Sequence, residues 1–172
     1  MTAIYPGSFD PATNGHINIA RRSVAIMGQL IIAVLDNPHK KPLFSVSERV
    51  ALLREIFYDD KNIEVDAFSG LLVDYAKKRG VQAIIRGIRG PEDLAKELPY
   101  AIWNNKLSTG LAQSVETLYF TAEPSLAHIS GSIVKEVATH LFKDGRDDTL
   151  IAPMVPPQIR AALREKMEGS RI

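Results

Sequence analysis

Short apolar stretches alternate with longer amphipathic stretches along the chain. The apolar stretches have the length of buried β-strands, and the amphipathic stretches repeat their apolar residues at helical spacing. A β-α-β-α order of this kind predicts a mostly parallel sheet with right-handed crossover connections. The predicted strands span residues 3–5, 30–35, 62–68, 81–85 and 115–120.

Turn and capping residues limit the predicted helices. Ser45 and Glu48 have the spacing of a capping box at the start of one helix, and Gly80 ends another. Pro99, inside a third helix, predicts a kink or a break near residues 96–98. We expect helices over residues 15–27, 70–79, 91–107 and 132–141, one that begins at Ser45, and a C-terminal one after Pro156 and Pro157.

These elements predict an α/β fold, a single-domain Rossmann-like doubly wound parallel sheet of about five strands with C-terminal helices. The length of 172 residues suits one hydrophobic core, so we expect one domain over residues 1–172. The absence of cysteine excludes a disulfide framework, a thiolate zinc site and a cysteine nucleophile. The formal charge of +1 argues against a nucleic-acid partner. The lack of a signal peptide and of a membrane-length apolar run predicts a cytoplasmic protein with no membrane partner.

Candidate chemical groups follow four of the predicted strands. In an open parallel sheet the ligand binds beyond the carboxyl ends of the strands, so these loops should meet at one edge. Their glycines, hydroxyls and cations suit a polyanionic ligand such as a nucleoside triphosphate. The loops carry Gly7, Ser8, Gly15 and His16 after the first strand, His39, Lys40 and Lys41 after the second, Arg86 and Arg89 after the fourth, and Ser130 and Ser132 after the fifth.

Each group also has a plain structural alternative. His16 stands at a helix start, where free N–H groups favour anions, but a histidine there can simply cap the helix. Arg86 and Arg89 have forked donors that match phosphate oxygens, but one of them could instead bridge carboxylates. Lys40 could be a solvated loop residue, and Ser130 could be a helix cap. Composition and spacing therefore predict a phosphorylated ligand and go no further, because the sequence has no P-loop or dinucleotide fingerprint.

An ordered set of motifs adds a resemblance to a known family. Residues 5–11 (Tyr-Pro-Gly-Ser-Phe-Asp-Pro) and 13–16 (Thr-Asn-Gly-His) resemble the (T/H)-x-G-H signature of the nucleotidyltransferase superfamily. Within it the chain is most similar to the bacterial phosphopantetheine adenylyltransferase family, over nearly all of its length up to about residue 141. The other segments that carry the resemblance are residues 40–44, 48–50, 68–72, 86–89 and 129–136.

The resemblance implies reversible transfer of AMP from ATP to 4′-phosphopantetheine, which gives dephospho-CoA and pyrophosphate in coenzyme A biosynthesis. It implies direct in-line displacement without a covalent enzyme intermediate, with Mg²⁺ arriving on ATP. It also implies a homohexamer and feedback inhibition by coenzyme A. The apolar residues Ile19 and Ile26, on the far side of the first helix, are compatible with a partner chain or with packing inside their own chain.

By position, the resemblance assigns roles to individual residues. The implied catalytic group is His16, Lys40 and Arg89, with His16 stabilising the transition state. The implied acceptor contacts are Ser8, Lys40, Leu72 and Arg86. The implied ATP contacts are Ser8, Phe9, His16, Gly87, Ile88, Arg89, Glu97, Leu126, Ala127, His128, Ile129, Ser130, Gly131 and Ser132.

The chain departs from the family pattern at four places. Ser8 stands where threonine is common, which keeps the hydroxyl. Gly131 replaces the middle serine of an Ile-Ser-Ser-Ser run, which removes one possible phosphate contact. Leu126 stands where some relatives carry tryptophan, which changes the adenine contact. Residues 96–105 diverge most, and this segment contains Glu97.

Two other functions stay open on the sequence. One is a related nucleotidyltransferase with another phosphorylated acceptor, such as nicotinamide mononucleotide or glycerol phosphate. The other is a non-catalytic nucleotide-binding protein. Thr13 favours phosphopantetheine as the acceptor, and the complete set of His16, Lys40, Arg86 and Arg89 favours an enzyme.

Overall fold

The sheet is seen in a computed structural model that describes residues 1–36, 41–108 and 114–169. Its strands are β1 (Thr2–Gly7), β2 (Gln29–Leu35), β3 (Ile63–Phe68), β4 (Ala83–Ile88) and β5 (Glu116–Thr121). They pair in parallel in the order β3-β2-β1-β4-β5. The chain builds outward from β1 through β2 and β3, then returns to place β4 on the other side of β1. This order confirms the predicted doubly wound, Rossmann-like fold.

Helices cover both faces of the sheet. They are α1 (Asn14–Met27), α2 (Val46–Ile56), α3 (Leu72–Lys78), α4 (Pro91–Ser108), α5 (Gly131–Lys143) and α6 (Pro157–Glu168). Residues of α1, α2, α5 and α6 join the larger hydrophobic cluster on one face, and α3 and α4 pack on the other face. In the three ranges that the structure describes, no helix is both long and apolar enough to cross a membrane.

Local sequence signals set most helix ends as predicted. The hydroxyl of Ser45 accepts the N–H of Glu48, and the carboxylate of Glu48 accepts the N–H of Ser45, so the predicted capping box is present at α2. Gly80 follows α3 with a φ of 63°, a conformation that glycine adopts without a Cβ clash. The sequence did not predict the two short 3₁₀ helices, Pro124–Leu126 and Asp148–Ile151.

The fourth strand begins two residues later and ends three residues later than predicted. Residues 86–88 were expected in a loop, but β4 continues through Ile88 because it pairs residue by residue with β5 as far as Thr121. The charge of Arg86 is accommodated in the strand, since its guanidinium donates to the carbonyl of Pro6 and lies 3.2 Å from the carboxylate of Glu97. Pairing with a neighbouring strand therefore overrides the local preference for a loop.

Of the kink or break predicted from Pro99, the break is wrong, and the kink stays a prediction. Helix α4 runs without interruption from Pro91 to Ser108, with Pro99 inside it. A proline at this position removes one helical hydrogen bond, the one that its own N–H would make to the carbonyl of Ala95. Both residues are exposed, so water can solvate that carbonyl and the helix continues.

Candidate active site

A cavity of about 570 Å³ opens beyond the carboxyl ends of the strands. Its walls come from the loop after β1, the start of α1, the segment after β2, helix α4 and the start of α5. It lies where β1 and β4 meet, and from this pair of strands the chain runs to opposite sides of the sheet. Ligands of doubly wound folds bind at this topological switch point.

Most of the sequence-predicted site residues reach this cavity. The predicted residues that line it are Ser8, His16, Gly87, Arg89, Glu97, Leu126, Ile129, Ser130, Gly131 and Ser132. Those that the structure describes but that are not part of its lining are Phe9, Leu72, Arg86, Ile88, Ala127 and His128. Lys40, with the neighbouring His39, lies outside the described residues.

Three of the predicted contact residues pack against other parts of the protein and do not line the cavity. Phe9 is 3% exposed, and its ring meets the imidazole of His16 edge to face with 5.2 Å between ring centroids. Leu72 packs against the hydrophobic cluster on the α3 side of the sheet. Arg86 bridges Pro6 and Glu97. Phe9 therefore supports a cavity residue, and the ligand roles predicted for Phe9, Leu72 and Arg86 stay untested predictions.

His16 is held in a defined orientation by the start of α1. Thr13 caps this helix, and its backbone N–H donates to Nδ1 of His16 at 3.0 Å. A backbone N–H can only donate, so Nδ1 must carry a lone pair and the proton of the neutral ring must sit on Nε2. The capping alternative for His16 is thus correct, and the same contact leaves an Nε2–H group that the ring can offer to a ligand.

The imidazole of His16 is also kept uncharged. Burial, and then the positive charge of Arg89, lower its pKa from 6.5 to about 4. At neutral pH the ring is therefore a neutral hydrogen-bond donor. It cannot supply a full positive charge to a phosphate, so cationic side chains must do so.

The orientation of Arg89 is set by the carboxylate of Asp93, on the first turn of α4. Its guanidinium forms a fork with Asp93, with Nε at 2.7 Å and Nη2 at 3.0 Å from the two carboxylate oxygens. A third nitrogen, Nη1, points to the carbonyl of Ile129 at 3.4 Å. The structural alternative, an arginine that pairs with a carboxylate, is correct for Arg89 and also for Arg86, and the Asp93 pair holds the Arg89 cation at the cavity wall.

The start of α5 adds hydrogen-bond donors. The hydroxyl of Ser130 accepts the N–H of Ile133 at 3.2 Å, so Ser130 is the helix cap that the alternative interpretation anticipated. The next residues, Gly131 and Ser132, line the cavity at the helix N-terminus, where backbone N–H groups have no helical partner. This end of α5 suits a phosphate oxygen.

Sequence reasoning missed four charged residues that line the cavity, namely Asp93, which pairs with Arg89, and Asp10, Lys135 and Arg49. Asp10 and Lys135 form an ion pair of 2.8 Å on the cavity wall, and Arg49 lines the cavity beside them. Burial would raise the pKa of Asp10, but hydrogen bonds from Lys135, Phe44 and Leu43 outweigh it and hold that pKa below its ordinary value. The sequence did offer a signal for this pair. A carboxylate such as Asp10 inside a predicted anion site needs a cation beside it.

Each carboxylate that lines the cavity is paired with a cation. Asp10 faces Lys135, Asp93 faces Arg89 and Glu97 faces Arg86. Within the described ranges, no group of three or more histidine and carboxylate side chains is gathered for a metal ion. This donor set suits a divalent ion that is bound to the phosphates of the ligand better than one held by the protein.

Comparison with known proteins gives the family. Residues 4–137 match the family model described as cytidylyltransferase-like. The chain is 44% identical over 168 residues to the phosphopantetheine adenylyltransferase of Caldanaerobacter subterraneus subsp. tengcongensis, covering 98% of both chains. It is 47% identical over 163 residues to the one of Alkaliphilus metalliredigens, covering 95% of this chain and 97% of that protein.

A solved structure shares the fold. The lipopolysaccharide core biosynthesis protein from Thermoplasma volcanium GSS1 superposes with a TM-score of 0.53 and 19% identity. The match covers 72% of this chain and 98% of that chain. At this identity the likeness concerns the arrangement of strands and helices and carries no information on substrates.

The protonation of His16 gives the first test. We expect its ring to stay in the neutral Nε2–H form at neutral pH and to protonate only near pH 4. Between pH 6.5 and about pH 4, His16 binds a proton in the unfolded chain but not in the folded chain. The free energy of unfolding therefore decreases as the pH falls through that window. Two-dimensional ¹H–¹⁵N spectra of the imidazole nitrogens measure the tautomer and the pKa of the ring. The His16→Gln variant identifies which signals belong to His16. Titration of His16 near 6.5 would contradict the geometry.

Proposed function

The chain belongs to the phosphopantetheine adenylyltransferase family of nucleotidyltransferases, and we propose that its cavity moves the AMP group of ATP directly onto 4′-phosphopantetheine. The products are dephospho-CoA and pyrophosphate, a step of coenzyme A biosynthesis. The observation that carries the proposal is the meeting of His16, Arg89 and the N-terminus of α5 around one cavity at the switch point of the sheet. That arrangement supplies hydrogen-bond donors and positive charge to a triphosphate.

The proposed reaction is a single in-line displacement. A phosphate oxygen of the acceptor forms a bond to the α-phosphorus of ATP, and the bond from that phosphorus to the oxygen of the β-phosphate breaks. Negative charge increases on the bridging and α-phosphate oxygens in the transition state. Fixed donors around those oxygens lower the barrier, and no protein nucleophile is needed.

Individual residues would divide this task. His16 donates its Nε2–H to an oxygen that gains charge, and the contact with Thr13 keeps the ring from turning. Arg89 supplies a full positive charge, held in place by Asp93. The N–H groups at the start of α5 and the hydroxyls of Ser130 and Ser132 hold the phosphates, while Ser8 would contact both substrates. Lys40 is proposed as the cation on the acceptor side from the family resemblance.

We propose that Mg²⁺ enters as part of the ATP substrate. The carboxylates that line the described part of the cavity already face cations, so the triphosphate oxygens are the better ligands for the ion. When bound, the ion would neutralise part of the phosphate charge. By the family resemblance we also propose inhibition by coenzyme A, and a cytoplasmic location where ATP is supplied.

We propose a homohexamer, and helix α4 offers the surface for it. Among its exposed side chains are Leu98, Tyr100, Ile102, Trp103 and Leu107. Exposed apolar residues grouped on one element are typical of an interface between chains. Of the two residues that the sequence suggested for this purpose, Ile19 is 5% exposed and packs in its own chain, whereas Ile26 is 71% exposed.

The acceptor is tested by direct assay. We expect the purified protein with ATP and Mg²⁺ to release pyrophosphate and form dephospho-CoA, detected by mass, when 4′-phosphopantetheine is the acceptor. Parallel reactions contain nicotinamide mononucleotide or glycerol phosphate. Product from either of these alone would identify a different acceptor. If folded protein binds ATP but forms no product with any acceptor, a non-catalytic nucleotide-binding role replaces the proposal.

His16→Ala tests the transition-state role. Removal of one such donor costs about 10² to 10³ in turnover, or roughly 3 to 4 kcal/mol. We expect kcat to fall by that factor while KM for ATP changes little, because the Nε2–H bond strengthens only as charge develops. Steady-state kinetics measure this, with His140→Ala as the control, since His140 is exposed on α5 away from the cavity. Preserved kcat with a large rise in KM would assign His16 to ground-state binding.

The assembly is tested by sedimentation equilibrium. We expect a mass about six times that of one chain, and a smaller mass for the double variant Ile102→Glu, Trp103→Glu, because two charges would then be buried at the interface. Leu150→Glu is the matched control, since Leu150 is also exposed but lies in the second 3₁₀ helix. A single-chain mass for the unaltered protein would exclude the hexamer.

A further inference from the structure

The carboxylate of Asp10 joins three segments of the chain. It accepts the backbone N–H of Leu43 at 3.0 Å and that of Phe44 at 2.9 Å, and it receives the ammonium of Lys135 at 2.8 Å. The side chain of Asp10 is only 7% exposed. One buried group therefore links the loop after β1, the segment after β2 and helix α5.

Arg49 holds the same junction from the other side. It is 3% exposed, and its guanidinium donates to the carbonyls of Ser8 at 2.7 Å, Phe44 at 3.0 Å and Leu35 at 3.2 Å. Leu35 ends β2, and Phe44 precedes α2. Arg49 thus ties the end of β2 and the backbone of Phe44 to the loop after β1.

The packing at this junction leaves little space. A Cβ placed on Gly131 would lie 3.1 Å from the carbonyl oxygen of Asp10 and 3.4 Å from that of Pro11. A serine here, as in the family pattern, would require the backbone to shift by a few tenths of an ångström. Gly131 therefore allows the N-terminus of α5 to rest directly on the loop that carries Asp10.

The junction presents cations to the cavity. Lys41, two residues before Leu43, and Lys135 both line it. Lys135 has three N–H donors and uses one toward Asp10, which leaves two for a ligand. The position of each cation depends on the Asp10 carboxylate, one through the backbone of Leu43 and the other through the ion pair.

We propose that Asp10 is a positioning residue for adenylyl transfer, which fixes the segment of Lys41 to Phe44 and the ammonium of Lys135 in one arrangement against the bound phosphates. The inference rests on the proposed function. Both carboxylate oxygens of Asp10 accept hydrogen bonds from the protein. Asp10 acts by holding two cations whose displacement by about 1 Å can cost up to about 100-fold in rate.

Asp10→Asn tests this with little change of shape. An amide has one acceptor oxygen and an NH₂ group that can only donate, so it cannot satisfy the two backbone N–H groups and the ammonium together. We expect kcat/KM to fall about 10- to 100-fold. Thermal denaturation and steady-state kinetics for both substrates are measured on the same preparation of the full chain.

Asp148→Asn is the matched control. Asp148 is also mostly buried, with its side chain 11% exposed, and it accepts Arg164 at 2.6 Å, but it is not among the described residues that line the cavity. We expect it to lower the melting temperature and to leave kcat/KM within about twofold. A loss of kcat/KM in Asp10→Asn no larger than in Asp148→Asn would overturn the inference, because Asp10 would then be merely structural.

Lys135→Met removes the ion pair but leaves the carboxylate of Asp10 in place. Because Lys135 is partly exposed, this variant tests the inference even if Asp10→Asn does not fold. We expect a loss in kcat/KM of the same order, and a double variant that loses less than the product of the single losses because the two residues act together. Unchanged activity of Lys135→Met, or independent losses in the double variant, would overturn the inference. Absence of product from the unaltered protein would instead remove the proposed function, so the two failures are distinguishable.

Discussion

The packing of the loop that follows β1 is the constraint on which the site depends. Phe9 adopts a φ of 47°, unusual for a residue with a side chain, and its ring fills the space beside Gly7, where a Cβ would lie 3.0 Å from the ring. The same ring meets Tyr5 and His16 edge to face. Because β1 is central in the sheet, this packed loop is the fixed reference to which α1, α5 and the segment after β2 are attached.

The electrostatics of the cavity follow from that attachment. Two of its cations are already oriented before a phosphate binds, since Asp10 holds Lys135 and Asp93 holds Arg89. Pairing of this kind removes side-chain freedom before the ligand arrives, so less conformational entropy is lost on binding. Neutral His16 offers a directed hydrogen bond in place of another charge, which suits an oxygen that gains negative charge in the proposed reaction. The site therefore combines fixed positive charge with oriented neutral donors.

The fold and the chemistry are carried by different parts of the chain. A structure only 19% identical to this chain shares its arrangement of strands and helices. The cavity is formed by residues beyond the strand ends, and there a single glycine such as Gly131 changes how closely two segments can approach. Differences from relatives in these loops can therefore alter the site while leaving the sheet unchanged.

The sequence by itself determined the order of the elements, the helix caps at Ser45 and Ser130 and the edge of the sheet at which the cavity opens. These depend on hydrophobic period and on local hydrogen bonds, which neighbouring residues settle among themselves. Only the tertiary structure decided that β4 extends to Ile88 and that Asp10 joins Lys135, 125 positions away. Strand pairing and buried ion pairs depend on partners distant in sequence, whose approach is set by how the helices pack on the sheet.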